Sequence, residues 1–389
     1  MYLSCHSRWS DRGNASQNGD LYRVSHPIPV KPMDRKFIAL VSLSLFAACG
    51  DGAKTPGDTG APPASKTSGA DLTGAGATFP NPLYSKWTSE YVGKSGVKVN
   101  YQSIGSGGGI RQLSEQTVDF GASDAPMSDA ELANAKGGAI LHIPMVLGAV
   151  TIIYNLPAVT QPLKMSGEAI AAIFQGQISK WNDPRLMALN PGVALPADDI
   201  LVVHRSDGSG TTYVFTDYLA AVSPAWATKP GKGKEVQWPV GLGGKGNEGV
   251  AGQVKQTPGA IGYVELAYAT QNKLSTATVR NAAGEFVAPT IASVTAAAAG
   301  ISSKLPASTD YRVSIVNAPG AGVYPISSFT WILLYEKQAD AVKGKKVVDF
   351  IRWALTDGQS MAAPLDYAPL PETMRSALVT RLSSIQLPQ

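Results

Sequence analysis

Three glycine- and serine-rich turns each precede a predicted helix. They lie at 73–80, 103–111 and 205–212. The N-terminus of a helix presents backbone N–H groups that have no partner within the helix, and it carries a partial positive charge. Glycine lets that backbone come close to a ligand. One such turn is more often a simple helix cap, but three in one chain favour a site for a small oxyanion.

Arg205, at the start of the third turn, is the only cation close to these turns apart from Arg111, which lies deeper in its predicted helix. The planar guanidinium fork suits a tetrahedral oxyanion. Asp207, two residues further on, could pair with Arg205 and hold it in position. The alternative is a solvated ion pair in a turn, which contributes little to stability.

Asp124 follows a predicted strand in the segment 118–127. A carboxylate repels an anion unless that anion carries a proton, as hydrogen phosphate does at neutral pH and sulfate does not. Asp124 could therefore accept the proton of phosphate and face sulfate as an unpaired charge. Alternatively, Asp124 caps a helix that begins near Ser128.

The elements that position these residues alternate between strand-like and helical patterns, which predicts an α/β fold with a largely parallel sheet. Leu83, Trp87 and Tyr91 form one stripe on the first predicted helix. The predicted strands are 97–103, 200–203 and 327–335, and the predicted helices are 81–94, 109–117, 211–222, 339–355 and 372–385.

Composition excludes several classes of protein. The chain has 389 residues, a formal net charge of +4 and 44% hydrophobic residues, so it is neither disordered nor a typical nucleic-acid-binding chain. At this length we expect two domains or lobes rather than one. The longest uncharged apolar run, 37–48, is too short to span a membrane as a helix. Cys5 and Cys49 both precede residue 50 and there are four histidines, so neither a metal site nor a cofactor is expected.

The N-terminal 70 residues resemble an export signal and a tether. Residues 1–32 show no periodicity. Met33 begins a short basic segment followed by the apolar run, which is the pattern of a secretory signal peptide. We therefore expect translation to start at Met33, so that 1–48 is leader and signal peptide; the alternative is a genuine extended leader, which export would also remove.

Cys49 ends a segment that resembles the lipobox of bacterial lipoproteins, although Phe46 stands where leucine is usual. The resemblance implies lipidation of Cys49; the alternative is an ordinary signal peptide with an incidental cysteine. Of the 21 residues in 50–70, 17 are Gly, Ala, Pro, Ser or Thr, so 49–70 is predicted to be a flexible tether.

Several segments together resemble the periplasmic phosphate-binding proteins of phosphate-specific ABC importers. The resemblance runs from about 71 to 272, resumes near 325–335 and 365–371, and is weak between about 275 and 320. The segments that carry it are 72–80, 118–126, 207–211, 241–249 and 258–265.

This resemblance implies an α/β, two-lobed periplasmic-binding-protein fold of type II, with the ligand in the cleft and two hinge crossings near 143–150 and 320–325. Lobe one is then 71–145 plus 325–389, and lobe two is 146–324. Asp207 corresponds to the family residue that orients the arginine. The implied phosphate ligands are Thr78, Phe79, Ser106, Asp124, Arg205, Ser209, Gly210 and Thr211.

The implied function is high-affinity binding of inorganic phosphate outside the cytoplasmic membrane and delivery to an ABC permease with its ATPase. The expected protein is exported, periplasmic or at the cell surface, lipid-anchored, monomeric and not an enzyme, with no nucleic-acid partner. The alternatives are a secreted phosphatase, which would need a nucleophile with a base or a metal, and a scaffold protein that retains a phosphate site.

Three motifs could suggest other functions. Residues 241–246 formally match the G-x-G-x-x-G nucleotide fingerprint, but Pro239 precedes them instead of a clean strand. His204 beside Arg205 is expected to have a packing role. Trp181 is expected to lie in the core of a short helical segment instead of stacking on a ligand.

Overall fold

The computed structural model describes residues 72–302 and 309–389, all within one compact unit, Lys66–Gln389. The predictions of a leader, a signal peptide, a lipidated Cys49 and a tether lie outside the described residues. Among those that are described, no helix is long and apolar enough to cross a membrane.

Strands and helices alternate along much of the described chain. The strands are β1 Leu72–Gly76, β2 Val99–Ser103, β3 Phe120–Ser123, β4 Ile140–Tyr154, β5 Lys164–Met165, β6 Leu201–Arg205, β7 Leu242–Gly244, β8 Ala260–Glu265, β9 Ser275–Thr276, β10 Thr278–Arg280, β11 Phe286–Val287 and β12 Ser327–Tyr335. The α-helices are α1 Asn81–Ser95, α2 Ser106–Ser114, α3 Asp129–Ala133, α4 Gly167–Phe174, α5 Pro184–Leu189, α6 Gly210–Val222, α7 Pro224–Thr228, α8 Gly246–Gln256, α9 Leu266–Asn272, α10 Ile291–Ser302, α11 Ala341–Leu355 and α12 Glu372–Arg381.

One continuous sheet runs through the protein in the strand order β2-β1-β3-β12-β4-β8-β6-β7, with β9 beside the end of β4. At one end β1 pairs in parallel with both β2 and β3, and at the other β6 pairs in parallel with β7 and β8. The central strands β12 and β4 are antiparallel to each other. The sheet therefore has a parallel group at each end, which confirms the α/β class but adds an antiparallel centre to the predicted largely parallel sheet.

Strand β4 joins the two groups. Its first part pairs with β12 and its last five residues pair with β8. The segment 143–150, predicted to cross between lobes, therefore lies within a single strand of 15 residues. The segment 324–326, which leads into β12, is hydrogen-bonded to Val150 of β4. The Tyr324 hydroxyl donates to the Val150 carbonyl at 3.0 Å, and the Val150 N–H donates to the Ile326 carbonyl at 2.8 Å.

The helices follow the predicted patterns with shifted ends. Helix α1 buries Leu83, Trp87 and Tyr91, which confirms the predicted stripe. Helix α2 begins at Ser106, earlier than the predicted start, because the glycines after Ser106 are part of the helix. Helix α12 ends at Arg381, where a 3₁₀ turn takes over.

Trp181 confirms one half of its prediction and corrects the other. It is fully buried and its indole N–H donates to the Gly259 carbonyl at 3.0 Å. It lies in a turn between α4 and α5 instead of in a helix. The indole hydrogen bond spans 78 residues of sequence, so the tertiary fold sets the place of Trp181.

Candidate anion-binding site

The first three strands end at the same edge of the sheet. Gly76 near the end of β1 is in register with Ser103 at the end of β2 and with Ala122 in β3. Because parallel strands place their carboxyl ends together, the turns that follow these strands converge. Those turns carry the predicted residues Thr78, Phe79, Ser106 and Asp124.

The second parallel group, β6 to β8, also places the turns after two of its strands, β6 and β7, at one edge of the sheet. Arg205 at the end of β6 is in register with Gly244 at the end of β7. Helix α6 begins at Gly210, directly after the turn that follows β6, and α8 begins just after β7. The third predicted turn therefore faces the first two.

Direct hydrogen bonds join the turns. The Gly210 N–H donates to the Ser106 hydroxyl at 3.0 Å, and the Gly107 N–H donates to the Gly208 carbonyl at 2.8 Å. The structure brings all of the predicted ligands into one buried, hydrogen-bonded region, and none of them lies elsewhere. They are Thr78, Phe79, Ser106, Asp124, Arg205, Ser209, Gly210 and Thr211.

Glycine is required at the start of α6. A Cβ atom on Gly210 would lie 2.4 Å from the Ser106 hydroxyl oxygen and 2.6 Å from Oδ2 of Asp124. Only a residue without a side chain allows the backbone N–H of Gly210 to come this close to the other turns.

Arg205 is buried and paired. Its Nε donates to Oδ1 of Asp207 at 2.8 Å and its Nη2 donates to Oδ2 at 2.6 Å, and the Arg205 side chain is 1% exposed. The alternative of a solvated ion pair is therefore wrong. Burial raises the pKa of Asp207, but the hydrogen bonds and charge of Arg205 outweigh this and leave the pKa below its ordinary value. Asp207 fixes one edge of the guanidinium, while Nη1 lies 3.3 Å from the Thr211 hydroxyl.

Asp124 is buried with one oxygen unsatisfied. Its Oδ1 accepts from the Thr330 hydroxyl at 2.9 Å, whereas Oδ2 has no hydrogen-bond partner among the described residues. Burial raises the pKa of Asp124 from 3.8 to about 7, against the opposing effects of the Thr330 hydrogen bond, the Arg205 charge and the nearby Thr211 hydroxyl. Helix α3 is capped by Ser128 in a capping box with Glu131, so the alternative in which Asp124 caps that helix is wrong.

Three hydroxyls of the site are arranged as donors. A hydroxyl oxygen has two lone pairs and one hydrogen. Thr78 Oγ1 accepts from the backbone and side-chain nitrogens of Asn247, and Ser106 Oγ accepts from the N–H groups of Asp124 and Gly210. Thr211 Oγ1 accepts from Arg205 and Asn247. Each hydroxyl therefore has its hydrogen left to donate, as binding of an anion requires.

Side-chain capping explains only the third turn. The Ser209 hydroxyl accepts from the Thr212 N–H at 2.9 Å, which is an N-cap of α6. In contrast, Pro80 and Gly105 at the caps of α1 and α2 make no side-chain capping bond. Close packing accounts for some glycines of the first two turns, because a Cβ on Gly76 would lie 2.0 Å from the Ala122 carbonyl oxygen and one on Gly109 would lie 2.4 Å from Gly76 Cα.

Sequence reasoning missed four residues that support the site. Thr330 holds Asp124 and Asn247 bridges Thr78 and Thr211. The hydroxyls of Tyr268 and Tyr367 donate to the carbonyls of Thr78 and Phe79, each at 2.6 Å. Of these four residues, only Asn247 could have been found from the sequence, because it lies in a glycine-rich segment at the start of a helix.

The remaining motifs are accounted for by packing or stay untested. The His204 ring stacks on Trp238 with ring centres 4.7 Å apart, which confirms its packing role. The 241–246 motif contains β7 and the start of α8, where the Gly246 N–H donates to Asp207 at 3.0 Å. Within the described residues no group of three or more His, Cys, Asp or Glu side chains could hold a metal ion.

The sequence is similar to a known family of binding proteins. A family model described as PBP superfamily domain matches residues 61–357. The phosphate-binding protein PstS of Xylella fastidiosa (strain Temecula1) is 46% identical over 314 residues, covering 80% of this chain and 85% of that protein. The phosphate-binding protein PstS of Pasteurella multocida is 48% identical over 307 residues, covering 79% and 88%.

A solved structure shows the same fold. The crystal structure of a phosphate-binding protein from Stenotrophomonas maltophilia matches with a TM-score of 0.63 at 22% identity, covering 80% of this chain and 93% of that one. The fold is thus the type II periplasmic-binding-protein fold, as expected from the sequence. The chain belongs to the PBP superfamily, because that family model matches most of its length. Within it, the chain belongs to the family of PstS phosphate-binding proteins, since relatives of that family are 46–48% identical over about 80% of the chain.

Proposed function

We propose that this protein binds inorganic phosphate at the site between the two parallel groups and delivers it to the permease of an ABC importer. One observation carries the proposal: within the part of the chain that the structure describes, Oδ2 of Asp124 is a buried acceptor with no hydrogen-bond partner, next to helix N-termini and a buried arginine. The relatives, which are named phosphate-binding proteins, support it.

The arrangement suits an anion that carries a hydrogen. The Arg205 fork, the hydroxyls of Thr78, Ser106 and Thr211, and the N–H groups at the helix starts are donors for the phosphate oxygens. Asp124 accepts the hydrogen of hydrogen phosphate. Sulfate has no hydrogen, so above about pH 7, where Asp124 is ionised, it would bring its charge against the buried carboxylate with no compensating bond.

Calorimetric titration with phosphate and with sulfate tests the proposal. We expect phosphate to bind with a dissociation constant in the micromolar range or tighter, which is about −8 kcal/mol or better. Asp124→Asn removes the charge that repels sulfate, so the preference for phosphate over sulfate should fall by about tenfold or more.

Asp119→Asn is the matched control. Asp119 is also a half-buried aspartate near β3, but it bonds Thr73 and Lys343 away from the site. This variant should keep the wild-type preference. Failure of wild-type protein to bind phosphate would contradict the proposed function, and equal affinity of wild-type protein for sulfate would contradict the role of Asp124.

Export, lipidation and tethering of the protein depend on residues 1–70, which lie outside the described residues. We expect export of the chain with cleavage before Cys49, lipidation of that cysteine and a tether over 50–70, so that a monomer works near its membrane partner. Intact mass of protein purified from membranes should show an acylated N-terminal Cys49. Cys49→Ser should release the protein into the soluble fraction, and a membrane-bound Cys49→Ser protein would contradict the anchor.

We expect binding and no turnover. A phosphatase of this chain would need a base beside a nucleophile. His142 instead accepts from the Met127 N–H at 3.0 Å, and His204 stacks on Trp238. Hydrolysis of a chromogenic phosphate ester that Ser209→Ala abolishes would favour the enzymatic alternative.

A further inference from the structure

Asn247 is a fully buried side chain of the site that does not belong to the three turns. It lies in the first turn of α8 and its exposed fraction is 0%. Its Oδ1 accepts from the Glu265 N–H at 2.9 Å. Because a backbone N–H can only donate, this bond fixes which end of the amide is oxygen. The Nδ2 end must therefore face the site.

The Nδ2 group contacts two predicted phosphate ligands at once. It lies 2.7 Å from Oγ1 of Thr78 and 3.1 Å from Oγ1 of Thr211. The backbone N–H of Asn247 also donates to Oγ1 of Thr78, at 3.1 Å. Thr78 follows β1 and Thr211 lies in the first turn of α6, so one amide joins both sides of the site.

These bonds decide the direction in which the two hydroxyls act. A threonine hydroxyl is both donor and acceptor, and its hydrogen rotates to suit its neighbours. Both lone pairs of Thr78 Oγ1 are used by Asn247, and those of Thr211 Oγ1 by Asn247 and Arg205. Neither oxygen can accept a further bond, so each hydroxyl can only donate, either to a ligand or, for Thr211, to the nearby Asp124 carboxyl group.

We propose that Asn247 is a positioning residue that holds the hydroxyls of Thr78 and Thr211 as donors to the bound anion. The inference rests on the proposed function, since it concerns how the same site recognises phosphate. Asn247 itself need not touch the ligand; it acts through the two threonines. A purely structural role, in which Asn247 serves only the Glu265 N–H, is the competing explanation.

Two substitutions separate these roles. Asn247→Asp has nearly the same shape and keeps an acceptor for Glu265, but it replaces the donor by a charged acceptor toward which both hydroxyls would turn. Asn247→Ala removes both functions. The added charge of the Asp variant repels phosphate under either explanation, so its affinity is compared in chains with and without the two hydroxyls. If Asn247 orients the hydroxyls, Asn247→Asp should cost more affinity when Thr78 and Thr211 are present than when both are valine. If it only satisfies Glu265, the loss should be equal in both chains and the Asp variant should be more stable than the Ala variant.

A double-mutant cycle tests whether Asn247 affects phosphate affinity through the two threonine hydroxyls. By calorimetry, Asn247→Ala should weaken phosphate binding about 10- to 100-fold in the wild-type chain. In a chain carrying Thr78→Val and Thr211→Val, the same substitution should change the dissociation constant less than about threefold. An equal loss in both backgrounds, or no loss in the wild-type chain, would overturn the inference while phosphate binding by wild-type protein still supports the function.

Asn281→Ala is the matched control. Asn281 is likewise buried and bonds four backbone groups, but near residues 281–285 and 320–323, in another part of the fold. It should lower the melting temperature and leave phosphate affinity unchanged. Absence of phosphate binding by the wild-type chain would overturn the proposed function and this inference with it.

Discussion

The two charged side chains of the site are stabilised in different ways. Arg205 has two hydrogen bonds to Asp207, so its charge is compensated where it is buried. Among residues 72–302 and 309–389, only the Thr330 hydroxyl bonds Oδ1 of Asp124, and Oδ2 has no partner. An ionised Asp124 therefore destabilises the folded protein when no ligand is bound.

This difference predicts a pH dependence of the free energy of unfolding. The pKa of Asp124 is about 7 in the folded protein and near 3.8 when unfolded. Between these values the folded state holds a proton that the unfolded state has lost, so stability falls as pH rises through this window. Urea unfolding of phosphate-free protein should show wild-type stability falling relative to Asp124→Asn between about pH 4 and 7.

The comparison with the variant removes other titrating groups. Burial lowers the pKa of His142 to about 4, which makes stability rise with pH in the same range, but this contribution is the same in both chains. Parallel stability curves for the two proteins would show that Asp124 is ionised without cost.

At the scale of elements, helix starts supply much of the site. Helix α6 reaches the opposite turns because Gly210 has no side chain, and its N–H then bonds Ser106 directly. A helix start carries its N–H groups without the long flexible side chain of a lysine. If the site binds an anion as proposed, Gly210 therefore serves recognition as well as backbone shape.

Gly210→Ala should damage binding more than folding. Its Cβ would lie 2.4 Å from the Ser106 oxygen, so the two turns must separate. We expect phosphate affinity to fall about 100-fold or more, since several donors would be displaced together. Calorimetry and a thermal melt measure the two effects.

Gly252→Ala in α8 is the control for this substitution. Apart from its chain neighbours and the backbone of α8 itself, a Cβ at Gly252 would meet no atom of the described residues within 4 Å. Alanine there should stabilise the helix by up to about 1 kcal/mol and leave affinity unchanged. If both variants bound phosphate like the wild type, the close approach of α6 would have no part in binding.

Secondary-structure elements could be predicted from the sequence better than the long-range contacts between them. The predicted strand 327–335 is confirmed as β12, whose last five residues form a continuous apolar run typical of a buried strand. The bonds of Asp124 to Thr330 and of Asn247 to Thr78 span 206 and 169 residues. Such contacts depend on the register of β12 beside β3 and on the position of α8, which local patterns do not contain.

At the scale of the whole molecule, an ion pair links the two sides of the site. Lys234 Nζ lies 2.7 Å from Glu131 of α3, and both side chains are partly buried. The Lys234 carbonyl also accepts the Ser209 N–H at 2.9 Å. The segment around Lys234 thus contacts both the third turn and the opposite side.

Lys234→Gln should speed the release of phosphate. Removing this partly buried ion pair costs about 1 kcal/mol, so the dissociation rate should rise about two- to fivefold with little change in the association rate. Stopped-flow kinetics measures both rates. High salt should reduce the difference between the variant and the wild type.

Lys232→Gln is the matched control, because Lys232 pairs with Asp217 at 3.0 Å on its own side. Its release rate should stay near the wild-type value. The same increase in both lysine variants would indicate general loss of positive charge instead of loss of the link to Glu131.

The single strand β4 has a mechanical consequence. Its 15 residues belong to both groups of the sheet, bonded to β12 along one part and to β8 along the other. Separating the two sides of the site to admit or release an ion must therefore twist a hydrogen-bonded ribbon, because this connection has no slack loop. We therefore expect β4 to act as a torsion spring, which would limit how far the two sides separate and return them toward the closed arrangement.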